Sequence, residues 1–149
     1  MLPLRARSLT RVGMGPIIQD HARQQGKPVF ELTVKTEFSA AHRLRGYEGA
    51  CERLHGHNYK VDVVLRGERL NDLGMLMDFK AVKAALAEIV GAFDHQFLND
   101  VAPFDATNPS AENIAKHVAD ELTSRLPEGV GVKSATVWES DRCAAAYVP

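Results

Sequence analysis

Two long runs of alternating apolar and polar residues constrain the fold of this chain more than any other feature. In the first run the apolar set takes every second position: Phe30, Leu32, Val34, Thr36 and Phe38. The second run repeats the pattern with His57, Tyr59, Val61, Val63 and Leu65. A period of two is typical of strands that bury one face and expose the other. A loop rich in glycine and charge, residues 43–53, joins the runs, so we predict a long antiparallel hairpin.

The middle of the chain changes to the spacing of amphipathic helices. Asp78 precedes apolar positions at Phe79, Val82, Leu86, Ile89 and Val90, and Ser110 precedes Ile114, Val118, Leu122 and Leu126. Asp and Ser are favoured N-cap residues, so each marks a helix start. Two further strands, 130–140 and 144–148, close the chain. The order ββααββ predicts an α+β fold with a four-stranded antiparallel sheet and two helices on one face.

Length and charge limit the class of protein. The 149 residues suit one domain, which we place at 29–149. Residues 1–28 lack sustained periodicity and are predicted to be an N-terminal extension that is flexible or contacts another subunit.

The formal net charge of -1 argues against nucleic acid or membrane partners and favours a small molecule. No apolar run approaches the roughly 20 residues that cross a bilayer, so we expect a cytoplasmic protein.

Only two cysteines are present, Cys51 and Cys143, which does not support a disulfide scaffold. We predict that Cys143 is a small buried residue. Cys51 is of a different kind, because it lies four positions before an HxH pair in the stretch CERLHGHNY.

A candidate metal site is formed by histidines on the two predicted strands. Side chains two apart on a strand share a face, so His55 and His57 can converge on one ion. His42, which ends the first alternating run in FSAAHRL, is the best third ligand if the two strands pair as neighbours. Three imidazoles suit Zn²⁺ and leave the fourth tetrahedral position open, as catalytic zinc sites do.

The role of Cys51 separates two functional alternatives. If its thiol is free beside an open zinc site, the protein is an enzyme. If the thiol is the fourth ligand, the site is structural and the protein is a zinc-stabilised binding module without catalysis. The residues alone leave both alternatives open.

The chain resembles one known family from about Phe30 to Tyr147. The resemblance is carried by six short motifs: FSAAHRL, CERLHGHNY, GMLMDF, FDHQFLND, TNPSAEN and VWES. Together they resemble the 6-pyruvoyltetrahydropterin synthase and 6-carboxytetrahydropterin synthase family of the tunnelling fold. The short CxxxHGH spacing at Cys51 is similar to that of the bacterial 6-carboxytetrahydropterin synthases of the queuosine pathway. The resemblance implies a zinc-dependent lyase that converts 7,8-dihydroneopterin 3'-triphosphate to 6-carboxy-5,6,7,8-tetrahydropterin, acetaldehyde and triphosphate. A 6-pyruvoyl activity and an aldolase-like cleavage of dihydroneopterin are the alternatives on the same scaffold.

The resemblance also implies roles for individual residues. Cys51 would be the general base, since neighbouring positive charge favours its thiolate. Asp94 and His95 would form a relay. Because adjacent side chains rarely hydrogen-bond to each other, we expect Asp94 to reach His95 through the local turn or to use another partner. Glu139 would accept two parallel hydrogen bonds from the 2-amino pyrimidine edge of the pterin. Glu112 needs no ligand, because an acid in a first helical turn suits the helix dipole.

An open four-stranded sheet leaves two unpaired edges, which natural proteins cover or pair. The resemblance implies that three subunits close a twelve-stranded barrel, that two rings stack into a homohexamer, and that neighbouring chains share each active site.

Overall fold

The structure, a computed structural model, describes residues 28–149, so the predicted extension over residues 1–28 lies almost wholly outside the described residues and stays a prediction. The elements in chain order are β1 (Phe30–His42), β2 (His55–Gly67), α1 (Phe79–Gly91), β3 (Gln96–Phe97), α2 (Ala111–Thr123), β4 (Val130–Ser140) and β5 (Cys143–Tyr147). Short 3-10 turns lie at Ala50–Glu52 and Leu98–Asp100. The predicted α+β class is confirmed.

The sheet is built around the predicted hairpin. Its strand order is β3-β1-β2-β4-β5, and β1 pairs antiparallel with β2 from Phe30 opposite Gly67 to His42 opposite His55. β4 pairs antiparallel with both β2 and β5. Because the ladder between β1 and β2 has no register shift, the alternating side chains of both strands keep to the same two faces over their full length.

The predicted strand count was one too low. β3 has only two residues and pairs parallel to β1 at Ala40 and Ala41, so the sheet is five-stranded and mixed. A two-residue strand is too short to show alternation in the sequence. It forms because the turn after α1 runs along the outer edge of β1, where the His95 amide donates to the Ser39 carbonyl at 2.6 Å.

Both helices pack on one face of the sheet, as predicted, and the core lies between the helices and the sheet. Its sheet side contains Val34, Phe38, Tyr59, Val61, Val63, Leu65, Ala135 and Val137, and its helix side contains Val82, Leu86, Ile89, Val90, Ile114, Val118 and Leu122. Each fully buried Leu, Ile or Val stabilises the fold by about 1.5–3 kcal/mol.

In each helix, one of the predicted apolar positions differs from the prediction. Phe79 is 51% exposed, because it is the first residue of α1 and lines a shallow cavity with Phe30 and Met75 outside the core. α2 ends at Thr123, so Leu126 follows the helix but still packs against the core.

The two N-caps are confirmed and one of them helps to build the site. Asp78 accepts a hydrogen bond from the Lys80 amide, and Ser110 accepts one from the Asn113 amide at 3.3 Å. Ser110 therefore determines where α2 begins, and Pro109 immediately before it directs its carbonyl at His42. Neither α1 nor α2 has the length and apolarity that a bilayer-crossing helix needs.

Candidate active site

Three histidines converge at one end of the β1–β2 ladder. The register places His42 opposite His55 and Ala40 opposite His57, so all three imidazoles lie on the core-facing side. One ligand atom from each histidine lies within 4.8 Å of the other two. The ring centroids are 4.5 Å apart for His42 and His55 and 5.0 Å apart for His55 and His57. We call this group the histidine cluster.

Hydrogen bonds to backbone carbonyls orient two of the rings. The Nδ1 atoms of His42 and His55 each lie 2.7 Å from a carbonyl oxygen, that of Pro109 and that of Arg53 respectively. Since a carbonyl can only accept, both Nδ1 atoms carry the hydrogen, and each Nε2 keeps its lone pair for a ligand. Histidines that bind metals are held in this way.

The unused nitrogens of the cluster fit a metal ion. The Nε2 atoms of His42 and His57 are buried and have no hydrogen-bond partner within residues 28–149. Burial lowers the pKa of His42 below 6.5, an effect that outweighs the opposing hydrogen bond to Pro109. The neutral imidazole is the form that binds metal. Three imidazole nitrogens that converge in this way could hold a metal ion, and imidazole is a usual ligand of Zn²⁺.

Cys51 is not part of this group of ligands. It is half-buried in the 3-10 turn Ala50–Glu52, and the group within 4.8 Å contains the three histidines without its sulfur. In the part of the chain that the structure describes, the thiol has no hydrogen-bond partner. The structure thus shows an unpaired thiol outside the group of three histidine ligands.

Two asparagines hold the loop that leaves β1. Asn99 accepts from the Arg43 amide at 2.9 Å and donates to the Arg43 carbonyl at 3.0 Å. Asn108 does the same for Arg45, at 2.8 and 3.0 Å. Each side-chain amide thus pairs with the backbone of one loop residue as a neighbouring strand would. Sequence reasoning missed both asparagines, although Asn108 lies within the TNPSAEN motif.

This loop also fixes the main chain at Cys51, because the Leu44 amide donates to the Cys51 carbonyl at 2.8 Å. The Arg45 guanidinium donates to the carbonyls of Phe104 and Thr107, at 2.7 Å each. The positions of His42 and Cys51 are therefore set by contacts that extend to the loop before α2.

Asp94 and His95 contact each other through the local turn, which is the first of the two alternatives expected for this pair. His95 Nδ1 lies 2.9 Å from Asp94 Oδ2, and the Ser39 amide donates to Asp94 Oδ1 at 2.9 Å. His95 has a left-handed φ of 57°, which turns its ring toward the preceding side chain. The hydrogen bond from Ser39 and the contact with His95 lower the pKa of Asp94.

The Asp94–His95 pair lies on the outer edge of β1, whereas the histidine cluster lies on the buried face of the β1–β2 ladder. The His95 side chain is 80% exposed. A shallow depression of about 510 Å³ touches both His57 and His95. No hydrogen bond or ion pair within residues 28–149 joins the pair to Cys51.

Glu139 lies close to the histidine cluster on β4. Its Oε1 is 4.0 Å from His42 Nε2, and its side chain is 30% exposed. It lines a cavity of about 260 Å³ together with Leu44, Ser110, Ala111, Glu112, Cys143, Ala144 and Ala145. The carboxylate therefore lies both near the histidine cluster and at the wall of this cavity.

Of the other residues that line this cavity, Cys143 differs from its prediction and Glu112 agrees with it. Cys143 is exposed rather than buried, because it is the first residue of β5 and sits at the end of the β4–β5 hairpin opposite Ser140. Glu112 does lie in the first turn of α2, as expected, but it also contributes a second carboxylate to the cavity. Its place in the TNPSAEN motif was the available signal.

Comparisons with known proteins agree with this architecture. The family model described as 6-pyruvoyl tetrahydropterin synthase matches residues 31–149. A 6-carboxy-5,6,7,8-tetrahydropterin synthase of Synechocystis is 38% identical over 116 residues, covering 74% of this chain and 86% of that protein. A dihydroneopterin monophosphate aldolase of Pyrococcus furiosus is 34% identical over 110 residues, covering 74% and 90%.

The fold also matches a solved structure, that of Caenorhabditis elegans 6-pyruvoyl tetrahydropterin synthase. The TM-score is 0.73 at 29% identity, and the match covers 82% of this chain and 96% of the other. With the family model spanning nearly all the described residues, the chain belongs to the 6-pyruvoyl tetrahydropterin synthase family.

Proposed function

We propose that this chain is a zinc-dependent 6-carboxy-5,6,7,8-tetrahydropterin synthase that acts in queuosine (7-deazaguanine) biosynthesis. The observation that carries the proposal is the histidine cluster with the Glu139 carboxylate 4.0 Å from His42 Nε2, at the wall of an open cavity. One chain thus places a site for a cation beside an anchor for a polar ring.

His42, His55 and His57 would hold the zinc ion through the nitrogens described above. When bound, zinc acts as a Lewis acid that polarises the side-chain oxygens of the substrate. The chain itself supplies the orientation of the rings, because the carbonyls of Pro109 and Arg53 fix two of them before any ion arrives.

Glu139 would bind the pterin ring. Its carboxylate can accept two parallel hydrogen bonds from the 2-amino group and the neighbouring ring N–H, a strong charge-assisted arrangement. Because Glu139 and His42 lie on the same face of the sheet, a ring held by Glu139 directs its carbon side chain at the histidine cluster.

Cys51 would remove a proton from the side chain of the substrate. A neighbouring cation favours the thiolate, and a thiolate is an effective base at neutral pH. Its position is held through the Leu44–Cys51 main-chain bond. Asp94 would orient the His95 ring, which would accept or return a proton.

The lack of contact between Cys51 and His95 in one chain supports a shared site. β3 covers only Ala40 and Ala41 of the outer edge of β1, so the rest of that edge and the outer edge of β5 have no strand partner within residues 28–149. Pairing between chains would cover both edges. We infer a trimeric barrel, with two rings stacked as a homohexamer, in which a neighbouring subunit brings its Asp94–His95 pair to Cys51.

The reaction consumes water: 7,8-dihydroneopterin triphosphate and water yield 6-carboxytetrahydropterin, acetaldehyde and triphosphate. The short CxxxHGH spacing and the Synechocystis relative favour this product. The relative from Pyrococcus furiosus makes an aldolase-type cleavage the second candidate, and the Caenorhabditis elegans structure makes the 6-pyruvoyl product the third.

Product analysis with zinc-loaded protein and 7,8-dihydroneopterin triphosphate tests the proposal. We expect acetaldehyde and triphosphate in equal amounts with a 6-carboxylated pterin. Triphosphate without acetaldehyde would indicate the 6-pyruvoyl reaction, and a hydroxyaldehyde fragment would indicate the aldolase.

The Cys51→Ala variant is the control for the chemistry. It should keep its zinc and lose roughly 10²- to 10⁴-fold in turnover, the usual contribution of a general base. Loss of zinc in this variant, together with no turnover in the unmodified protein, would favour the non-catalytic binding module.

A further inference from the structure

One buried polar group next to the histidine cluster is not explained by the roles above. Tyr59 lies on β2 two residues after His57 and is fully buried, with 0% exposure. Its hydroxyl has no hydrogen-bond partner within residues 28–149. A buried unpaired hydroxyl costs about 1–3 kcal/mol, and a phenylalanine would fill the same space without that cost. Packing alone therefore does not account for a tyrosine here.

The surroundings of the ring place it directly behind the site. Phe38 stacks on Tyr59 with ring centroids 4.8 Å apart. The rings of His42 and His57 meet it edge-on, at 5.7 and 5.4 Å. Tyr59 thus forms the inner wall of the histidine cluster.

On its other side Tyr59 neighbours Glu139. The β2–β4 ladder pairs Val61 with Val137 and Lys60 with Trp138, and the next step of the same register brings Tyr59 beside Glu139. A phenol, whose ordinary pKa is about 10, keeps its proton at neutral pH, so the Tyr59 hydroxyl is a neutral donor or acceptor.

Glu139 has acceptor capacity to receive such a donor. The one ion pair of Glu139 among the described residues is its 4.0 Å approach to His42, and an ionised carboxylate offers about four lone-pair sites. A pterin edge uses two of these sites. The Glu139 side chain is 30% exposed, which leaves it room to rotate toward the core.

We propose that the Tyr59 hydroxyl donates a hydrogen bond to the Glu139 carboxylate when a pterin ring is seated, and that Tyr59 is a positioning residue for this anchor. The proposal rests on the proposed function, because it assumes that Glu139 binds the ring. The bond from the core side would fix the rotation of the carboxylate, so that both oxygens face the ring donors.

The test begins with Tyr59→Phe, which removes only the hydroxyl. The probe is neopterin, titrated into zinc-loaded protein by its fluorescence, and KM and kcat are measured with 7,8-dihydroneopterin triphosphate. We expect neopterin affinity to fall about tenfold or more, as for the loss of a hydrogen bond to a charged group, and KM to rise more than kcat falls. Tyr147→Phe, in a half-buried tyrosine of β5, is the matched control and should change neither.

A double-mutant cycle separates positioning from a merely structural role. If Tyr59 acts through Glu139, Tyr59→Phe should change neopterin affinity by less than about twofold in a Glu139→Gln background. Additive losses would overturn the proposal. So would a Tyr59→Phe variant with lower melting temperature and unchanged affinity and KM.

The readouts also separate this proposal from the proposed function. If the unmodified protein binds neopterin and shows the coupling but forms no 6-carboxytetrahydropterin, the reaction is wrong and the role of Tyr59 stands. If the product forms and the coupling is absent, the reaction stands and the role of Tyr59 is wrong. An unmodified protein that binds no neopterin would overturn the role of Tyr59.

Discussion

The histidine cluster and the Asp94–His95 pair are both built from residues near strand ends, but the fold holds them in different ways. The cluster lies at one end of the β1–β2 ladder, two of its rings are oriented by backbone carbonyls, and its ligand atoms lie within 4.8 Å of one another. The pair is exposed on the outer edge of β1, where the Asp94 carboxylate and the His95 amide both hydrogen-bond to the Ser39 main chain.

In the proposed function, this difference separates metal binding by the histidine cluster from proton transfer by the Asp94–His95 pair. Metal binding needs ligands at fixed distances, which a continuous ladder such as β1–β2 provides within one subunit. A relay at a sheet edge lies where another chain can approach. We therefore expect the histidine cluster to bind metal in any assembly state. The Asp94–His95 pair should contribute to turnover only in the assembled protein.

The largest effect should come from the cluster. His55→Ala removes one of three ligands, so the zinc content should fall from about one per chain to near zero, and activity should fall with it. Metal analysis after gel filtration measures this. His95→Ala is the control and should keep its zinc, and a His55→Ala protein with full zinc content would remove His55 from the site.

The shared site can be tested by mixing two inactive variants. Cys51→Ala and His95→Ala should each be nearly inactive alone. If one site takes Cys51 from one chain and His95 from its neighbour, random mixed oligomers contain intact sites at half times half, about a quarter of the total. Activity is measured after the two variants are unfolded and refolded together.

No recovery of activity in verified mixed oligomers would place Cys51 and His95 in the same chain's site. Light scattering coupled to gel filtration checks the assembly in parallel, and a fully active monomer would contradict the shared site altogether.

The loop between the two regions should respond moderately. Asn108→Asp keeps the acceptor for the Arg45 amide but loses the donor to the Arg45 carbonyl. We expect the free energy of unfolding in urea to fall by about 1–3 kcal/mol, the cost of leaving a partly buried polar group unpaired.

The same substitution, made in a Cys143→Ser background, should speed alkylation of Cys51 by iodoacetamide, because the loop that holds Cys51 becomes looser. Asn113→Ala, which removes a single exposed hydrogen bond to the Asn108 carbonyl, is the matched control. Equal stability and equal alkylation rates in the Asn108→Asp and Asn113→Ala proteins would mean that Asn108 does not hold the loop.

The smallest effect concerns pH. His117 on α2 packs against Phe93 and Phe104, with centroids 5.4 and 5.7 Å away, and burial lowers its pKa below 6.5 despite Glu121 and Asp120. The unfolded chain therefore binds more protons near that pH, so this contribution to stability is present above 6.5 and is lost as the pH falls toward the folded pKa.

His117→Gln should reduce the loss of stability between about pH 7.5 and about pH 5.5, measured by urea unfolding. With this imidazole removed, the buried His42, whose pKa is also lowered by burial, still contributes to the pH dependence of stability. An unchanged pH slope would mean that His117 does not contribute to it.

Local patterns in the sequence were sufficient for the main elements. The alternation along residues 30–38 and 57–65 predicts both long strands and the face that each side chain takes, because the pleat has a fixed period of two. Asp78 and Ser110 predict where the helices start, since a cap is a contact within one turn. The convergence of His42, His55 and His57 follows from the same periodicity once the two strands pair.

Only the tertiary structure decided the features that depend on residues distant in the chain. The left-handed turn at His95 and the strand β3 exist because that segment meets the edge of β1 at Ser39. Asn99 and Asn108 act on backbone more than fifty residues away. Tyr59 is a further example, because the alternating pattern shows only a large residue on the buried face. The unpaired state of its hydroxyl beside Glu139 depends on how three strands and two helices close around it, which no local pattern encodes.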